Sequence, residues 1–248
     1  MRGLRPWIVL LTAGLSGMAG ARTTLLIEYR DKPPYTYTVD GKPAGFLMVR
    51  TAQLLKRAGI EPQYAEVPIR RTLMHLQANA VAVCSPGLYK TPERAAFARF
   101  SLPIHRDRPH AVLAHASVAA EIRRLPRASR LFTDGRFQPG QLEGVSYGAQ
   151  LDQWLAATPK PPLRAQLSPM QLVRMVAAHR VDYMLIDQED LGWLRRDPDL
   201  ADLPVERVDL ADMPRGELRY LACSQQVPPQ VMERLNQAIR ELPESSSD

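Results

Sequence analysis

The chain has 248 residues, of which 45% are hydrophobic, 23% charged and 6% aromatic, with a formal net charge of +6. Its basic residues are dispersed among acidic ones without interleaved aromatics, which argues against a nucleic-acid-binding surface. The length suits one large domain or two lobes.

Residues 1–21 have the three parts of a secretory signal: Arg2 and Arg5, an apolar run from Trp7 to Leu15, and small residues ending in Ala19-Gly20-Ala21. The run is broken by Gly14, Ser16 and Gly17 and is too short to span a bilayer, so cleavage after Ala21 and export to the periplasm are expected. Loss of Arg2 and Arg5 takes the formal charge from +6 to +4.

Thr23 to Tyr29 reads as a buried strand, followed by a loop rich in proline and tyrosine and a helix from Gly45 to Ala58 stopped by Gly59. Gln63 to Val67, Ile69 to Gln77 and Val81 to Cys84 continue as strand, helix and strand. In Thr91-Pro92-Glu93-Arg94, a good N-cap precedes proline at the first helical position, so backbone N–H donors are exposed beside a guanidinium suited to a carboxylate. Pro109 to His115 is a further strand, Glu121 to Arg130 has little pattern, and Thr133 to Gly140 reads as turns.

Gly144 to Gly148 is expected to be a strand running into a helix from Ala149 to Ala157. Leu163 to Gln166 is another strand, Ser168-Pro169 starts the helix from Met170 to His179, and Val181 to Ile186 is a strand ending in Asp187. Val205 to Val208, Leu218 to Cys223 and a closing helix from Pro229 to Leu242 complete the pattern. Two β-α-β-α-β halves with two connections predict an α/β fold of two lobes facing a cleft, each with a mainly parallel sheet flanked by helices. The expected division is residues 22–109 with 209–248 as the first lobe and 110–208 as the second. Cys84 and Cys223 lie in strand-like stretches of a chain expected to meet an oxidising compartment, and the residues leave open a disulfide or two buried thiols.

His105, His110 and His115 are spaced so that a strand alternates their faces, so no metal set is expected, nor any cofactor. Lys32-Pro33-Pro34-Tyr35, Asp40-Gly41 with Gly45-Phe46, Thr91-Pro92-Glu93-Arg94, Phe100-Ser101-Leu102-Pro103 and Arg180-Val181-Asp182-Tyr183 leading to Asp187 together resemble the bacterial extracellular solute-binding proteins of family 3. The resemblance implies the type II periplasmic-binding-protein fold and a small ligand, amino-acid-like or carrying a carboxylate. It places Arg94 on a carboxylate, Asp187 on an ammonium, Gly148, Ala149 and Gln150 in a second-lobe turn that assists the carboxylate, and Tyr35 and Tyr37 in an aromatic wall.

Pro86, Gly87 and Tyr89 stand where amino-acid binders carry small hydroxyl residues, and Leu47-Met48-Val49 and Pro68-Ile69-Arg70-Arg71 also depart from the family pattern. Arg70 offers added positive charge for a more anionic ligand, or a solvated helix position. The expected partners are the ligand and an ABC-transporter permease or membrane sensor, for a monomer that binds without catalysis. The alternatives are an envelope interaction protein that needs no small ligand and a lyase like cyclohexadienyl dehydratase, in which Asp187, Glu189 and Asp190 supply an acid or base.

Overall fold

Alternating burial along β1 (Thr23–Tyr29) sets the first layer: Leu25, Ile27 and Tyr29 face one core, while Leu26 packs into a smaller cluster on the opposite face. The structure is a computed structural model that describes residues 23–143 and 145–242, so the stretch expected to be a signal and the last residues of the sequence lie outside the described residues. A hairpin of β2 (Tyr37–Val39) and β3 (Lys42–Ala44) leads to α1 (Phe46–Arg57), β4 (Ile60–Glu66), α2 (Ile69–Ala78) and β5 (Val83–Tyr89). Then come α3 (Pro92–Phe97) and β6 (Arg99–Arg106).

The chain crosses into β7 (Ala111–His115), α4 (Ala116–Arg123), α5 (Ala128–Thr133), β8 (Pro139–Leu142), α6 (Ala149–Ala156), β9 (Leu163–Ala165) and α7 (Pro169–Ala177). It continues through β10 (Tyr183–Ile186), α8 (Gln188–Leu194), α9 (Pro198–Ala201) and β11 (Val205–Val208), and returns as β12 (Leu218–Cys223) and α10 (Pro229–Glu241). Among the described residues no helix is long and apolar enough to cross a membrane.

Two mixed sheets result. The first has the order β4-β1-β5-β12-β6, parallel from β4 to β5 and antiparallel through β12. The second has the order β11-β7-β10-β8-β9, antiparallel around β7 and parallel from β10 to β9. Helices cover both faces of the second sheet, and β10 serves both cores: Tyr183 and Leu185 pack with Phe132 and Leu151, Met184 and Ile186 with Leu172 and Val176.

Cys84 and Cys223 face each other in the β5–β12 ladder and form a disulfide, which closes the question left by the sequence. Two expectations are corrected: the sheets are mixed rather than mainly parallel, because β12 and β7 each run antiparallel to both neighbours, and the strand before α6 lies elsewhere. The strand before α6 is Pro139–Leu142, inside the stretch read as turns, whereas residues 145–148 are irregular. Proline is tolerated because Pro139 is the strand's first residue, and Gly140 is needed because a Cβ there would lie 2.9 Å from Leu172 and 3.0 Å from Val181. Residues 146–148 instead hold the start of α6: Asp152 accepts from the Ser146 hydroxyl and, at 2.9 Å, from the Tyr147 N–H.

Candidate functional site

The first and second sheets present their strand ends to each other, and the segments that leave β1, β5, β6 and β10 meet between them. Leaving β1, the chain carries Arg30 and Lys32 and turns through Tyr35, whose carbonyl accepts the Leu47 N–H at the start of α1 at 3.0 Å. Tyr35 is 1% exposed. Its ring lies 4.1 Å from the Arg219 guanidinium and 4.5 Å from the Lys32 ammonium, so both cations rest on its π face.

Asp187 ends β10 and is the N-cap residue of α8, yet its side chain makes no cap hydrogen bond. It reaches between the sheets instead. Lys32 Nζ lies 3.2 Å from Asp187 Oδ2 and 2.7 Å from Asp190 Oδ2, Arg219 Nη2 is 3.5 Å from Asp187 Oδ2, and His110 Nε2 is 3.0 Å from Asp187 Oδ1. Burial opposes ionisation of Asp187, but Lys32, His110 and Arg219 together outweigh it and hold the carboxyl well below the usual range. Asp190 goes the other way. Burial pushes it up to about 6 against the pull of Lys32, and the Asp187 charge adds to the rise.

Arg219 is the buried centre of the arrangement. It donates to Asp107 Oδ1 at 2.7 Å, to the Gly87 carbonyl at 3.0 Å and to the Tyr89 hydroxyl at 3.1 Å. Tyr89 in turn donates to Asp107 Oδ2 at 2.6 Å, and burial raises its phenol far above the ordinary value, so it remains a neutral donor. Glu189 accepts from Tyr35 at 3.2 Å and from Arg108 at 2.8 Å. The rings of Tyr37 and Trp193, from β2 and α8, lie 5.2 Å apart across the cleft.

Thr91 caps α3 by accepting the Arg94 N–H at 3.2 Å. The Arg94 guanidinium donates from Nη1 to the Tyr89 carbonyl at 3.1 Å and forms no ion pair with a carboxylate among the described residues, although the neighbouring Glu93 charge acts on it. Arg30 makes no side-chain hydrogen bond there either; burial and the Arg219 charge lower its pKa to about 10, and Asp187, Asp190 and Arg94 also act on it.

The other expected residues take different places. Gly87 has φ +85° and contributes its carbonyl to Arg219. The Gly148 N–H bonds the Ser146 hydroxyl at 3.2 Å, and a Cβ there would run into the Glu217 carboxylate. Gln150 is exposed in the first turn of α6. Arg70 is also exposed, 3.8 Å from Glu143 of the other lobe.

Sequence reasoning passed over Arg30, Asp107 and Arg219 and took Lys32 only as part of a motif. Arg219 carried a signal, a lone charge inside the apolar strand Leu218-Arg219-Tyr220-Leu221-Ala222-Cys223. His110, expected to have no part in a metal set, serves as a partner of Asp187.

Two open α/β sheets facing a cleft, with ionisable groups from both converging between them, define a two-lobed binding-protein fold. The model of the bacterial extracellular solute-binding proteins, family 3, matches residues 26–247, and the chain belongs to that family. No curated protein matches the sequence.

Similar solved structures share the fold. One is an amino acid ABC transporter substrate-binding protein, AbpA, from Streptococcus pneumoniae bound to L-arginine (16% identity, TM-score 0.65, 88% of each chain covered). Another is the ancestral amino acid-binding protein AncCDT-1, a precursor of cyclohexadienyl dehydratase (18%, 0.66, 89% of each chain). A third is a histidine kinase sensor domain with similarity to periplasmic binding proteins (20%, 0.64, 88% of this chain and 89% of that one).

Proposed function

We propose that the protein is a periplasmic solute-binding protein, exported by a cleaved signal, that closes its two lobes around a small carboxylate-bearing solute and presents it to a transporter permease or membrane sensor. The observation that carries this reading is Arg94: a guanidinium fixed by a capped turn and one bond to the Tyr89 carbonyl, with its remaining donors uncommitted to any carboxylate among the described residues. A carboxylate meeting it gains paired, charge-assisted hydrogen bonds. Binding without turnover is favoured because the carboxylates a lyase would use are tied to cations of the chain: Asp187 and Asp190 to Lys32, Glu189 to Arg108.

Thermal and urea unfolding of the purified protein against a panel of amino acids and organic acids tests the reading. At a ligand concentration about 100-fold above its dissociation constant, linkage gives about 2.7 kcal/mol of stabilisation. That gain is expected for a carboxylate ligand and is expected to be lost in Arg94→Ala; absence of any gain across the panel would remove the proposal.

A second reading, a sensor or interaction module that closes on itself, is favoured by direct lobe-to-lobe contacts. Lys32 with Asp187 and Asp190, Tyr35 with Glu189, and Tyr37 against Trp193 all join the two lobes. Small-angle scattering separates the two: a solute-driven closer contracts when ligand is added, whereas a self-closing module keeps one radius of gyration.

A further inference from the structure

Cations and carboxylates in the cleft are unequally matched. Asp107 is held by Arg219, Asp187 by Lys32, His110 and Arg219, Asp190 by Lys32, and Glu189 by Arg108 and Tyr35. Each of these four carboxylates therefore already has a cation of the chain on it. Arg30 and Arg94 form no ion pair with a carboxylate among the described residues: Asp190 and Asp187 act on Arg30, and Glu93 on Arg94, only at longer range, and the Arg94 charge also reaches Arg30. A partly buried charge without a close ion pair is less well compensated than one that has it, and an entering anion supplies that pair.

Lys32 settles what the opposite wall of the cleft can accept. Its ammonium sits between Asp187 and Asp190, the position in which the α-ammonium of an amino acid would be recognised, and is steadied by the Tyr35 ring. An incoming ammonium would have to expel Lys32 from both carboxylates and leave it beside Tyr35 with Arg219 on the same ring.

We infer that the cleft takes an amine-free dicarboxylate, with one carboxylate on Arg94 and the other on Arg30, while Lys32 occupies the ammonium position of Asp187 and Asp190. This specificity rests on the solute-binding reading above and narrows it: the ligand's negative charge is read by two guanidiniums of the first lobe, and the second lobe closes through the chain's own lysine.

The test is calorimetric titration of the purified protein with matched pairs that differ by the amine alone, succinate with L-aspartate and glutarate with L-glutamate, plus butyrate as a monocarboxylate. The amine-free member of at least one pair is expected to bind about tenfold or more tightly than its amino partner. Arg30→Gln is expected to weaken the dicarboxylate about tenfold while leaving butyrate within about twofold. Arg30→Lys, which keeps the charge and loses the planar fork, gives an intermediate loss and serves if the glutamine variant does not fold. Lys32→Met is expected to narrow the gap between each pair by freeing Asp187.

An amino acid that binds as tightly as its amine-free partner overturns this inference and leaves carboxylate binding through Arg94 standing. Failure of every carboxylate, with folded protein by circular dichroism, overturns both.

Discussion

Asp187 and Asp190 share one lysine, and the sharing drives their acidities apart. Asp187 also has His110 and Arg219 close by, so it stays ionised; Asp190 has Lys32 and a smaller pull from Arg219 against burial and the Asp187 charge, and titrates near 6. The raised value means that the folded protein holds the Asp190 proton more tightly than the unfolded chain, where a carboxyl titrates near about 3.9.

The stabilisation from that proton is therefore complete below about pH 4 and lost as the pH rises through about 6. Asp187, depressed in the folded state, acts with the opposite sign: its contribution is present above about pH 4 and lost as the pH falls below that. Urea unfolding between pH 4 and 7 is expected to show stability declining by on the order of 2 kcal/mol across the Asp190 window. In Asp190→Asn that decline should disappear, and an unchanged slope would assign it to other groups.

The loop between β1 and α1 shows how one backbone position controls several side chains. Gly45 stands before α1 with φ +104°, and a Cβ there would collide with the Tyr35 carbonyl oxygen. The same carbonyl and that of Pro34 accept the first N–H groups of α1, at 3.0 and 3.1 Å, so the helix start clasps the loop that carries Lys32 and Tyr35. Gly45→Ala adds a left-handed backbone penalty to a direct clash. It is expected to lower unfolding free energy by about 2 kcal/mol or more, measured by urea denaturation. If the variant is as stable as the parent, the loop moves aside freely and does not depend on α1.

The two lobes are tied by a chain that passes between them twice. After β6 the first crossing runs through Asp107 and Arg108, and the returning segment comes alongside, with the Asp107 N–H donating to the Glu217 carbonyl at 3.0 Å. Gly216 permits this closeness, since a Cβ there would run into the Asp107 carbonyl. The return places β12 between β5 and β6, and the Cys84–Cys223 disulfide then links residues 139 apart in sequence, enclosing the whole second sheet within its loop.

In the chain-entropy description a loop of that size contributes about 4 to 5 kcal/mol. Denaturation with and without reductant is expected to show a loss approaching that amount, and Cys84→Ala with Cys223→Ala should match the reduced protein. A loss below about 1 kcal/mol would mean that the β5–β12 ladder restrains the chain without the covalent link.

Local signals were enough to read much of this molecule. Short apolar runs marked β1 and β10, Ser168-Pro169 marked the start of α7 with its capping box, and Thr91-Pro92 marked the capped turn that carries Arg94. These depend on neighbours a few residues apart, and short-range spacing records them directly. The reading failed at β8, where proline and glycine look like turn residues until Leu172 and Val181 are seen to need the space above Gly140.

It also had no means of finding the cleft's electrostatics. Lys32 and Asp187 are 155 positions apart and meet across the cleft, and Arg219 and Asp107 are 112 apart and meet because the second crossing brings β12 back into the first sheet. A residue's type announces its charge, but its partner is chosen by packing between distant segments. In this protein that choice separates the committed cations, Lys32 and Arg219, from Arg30 and Arg94.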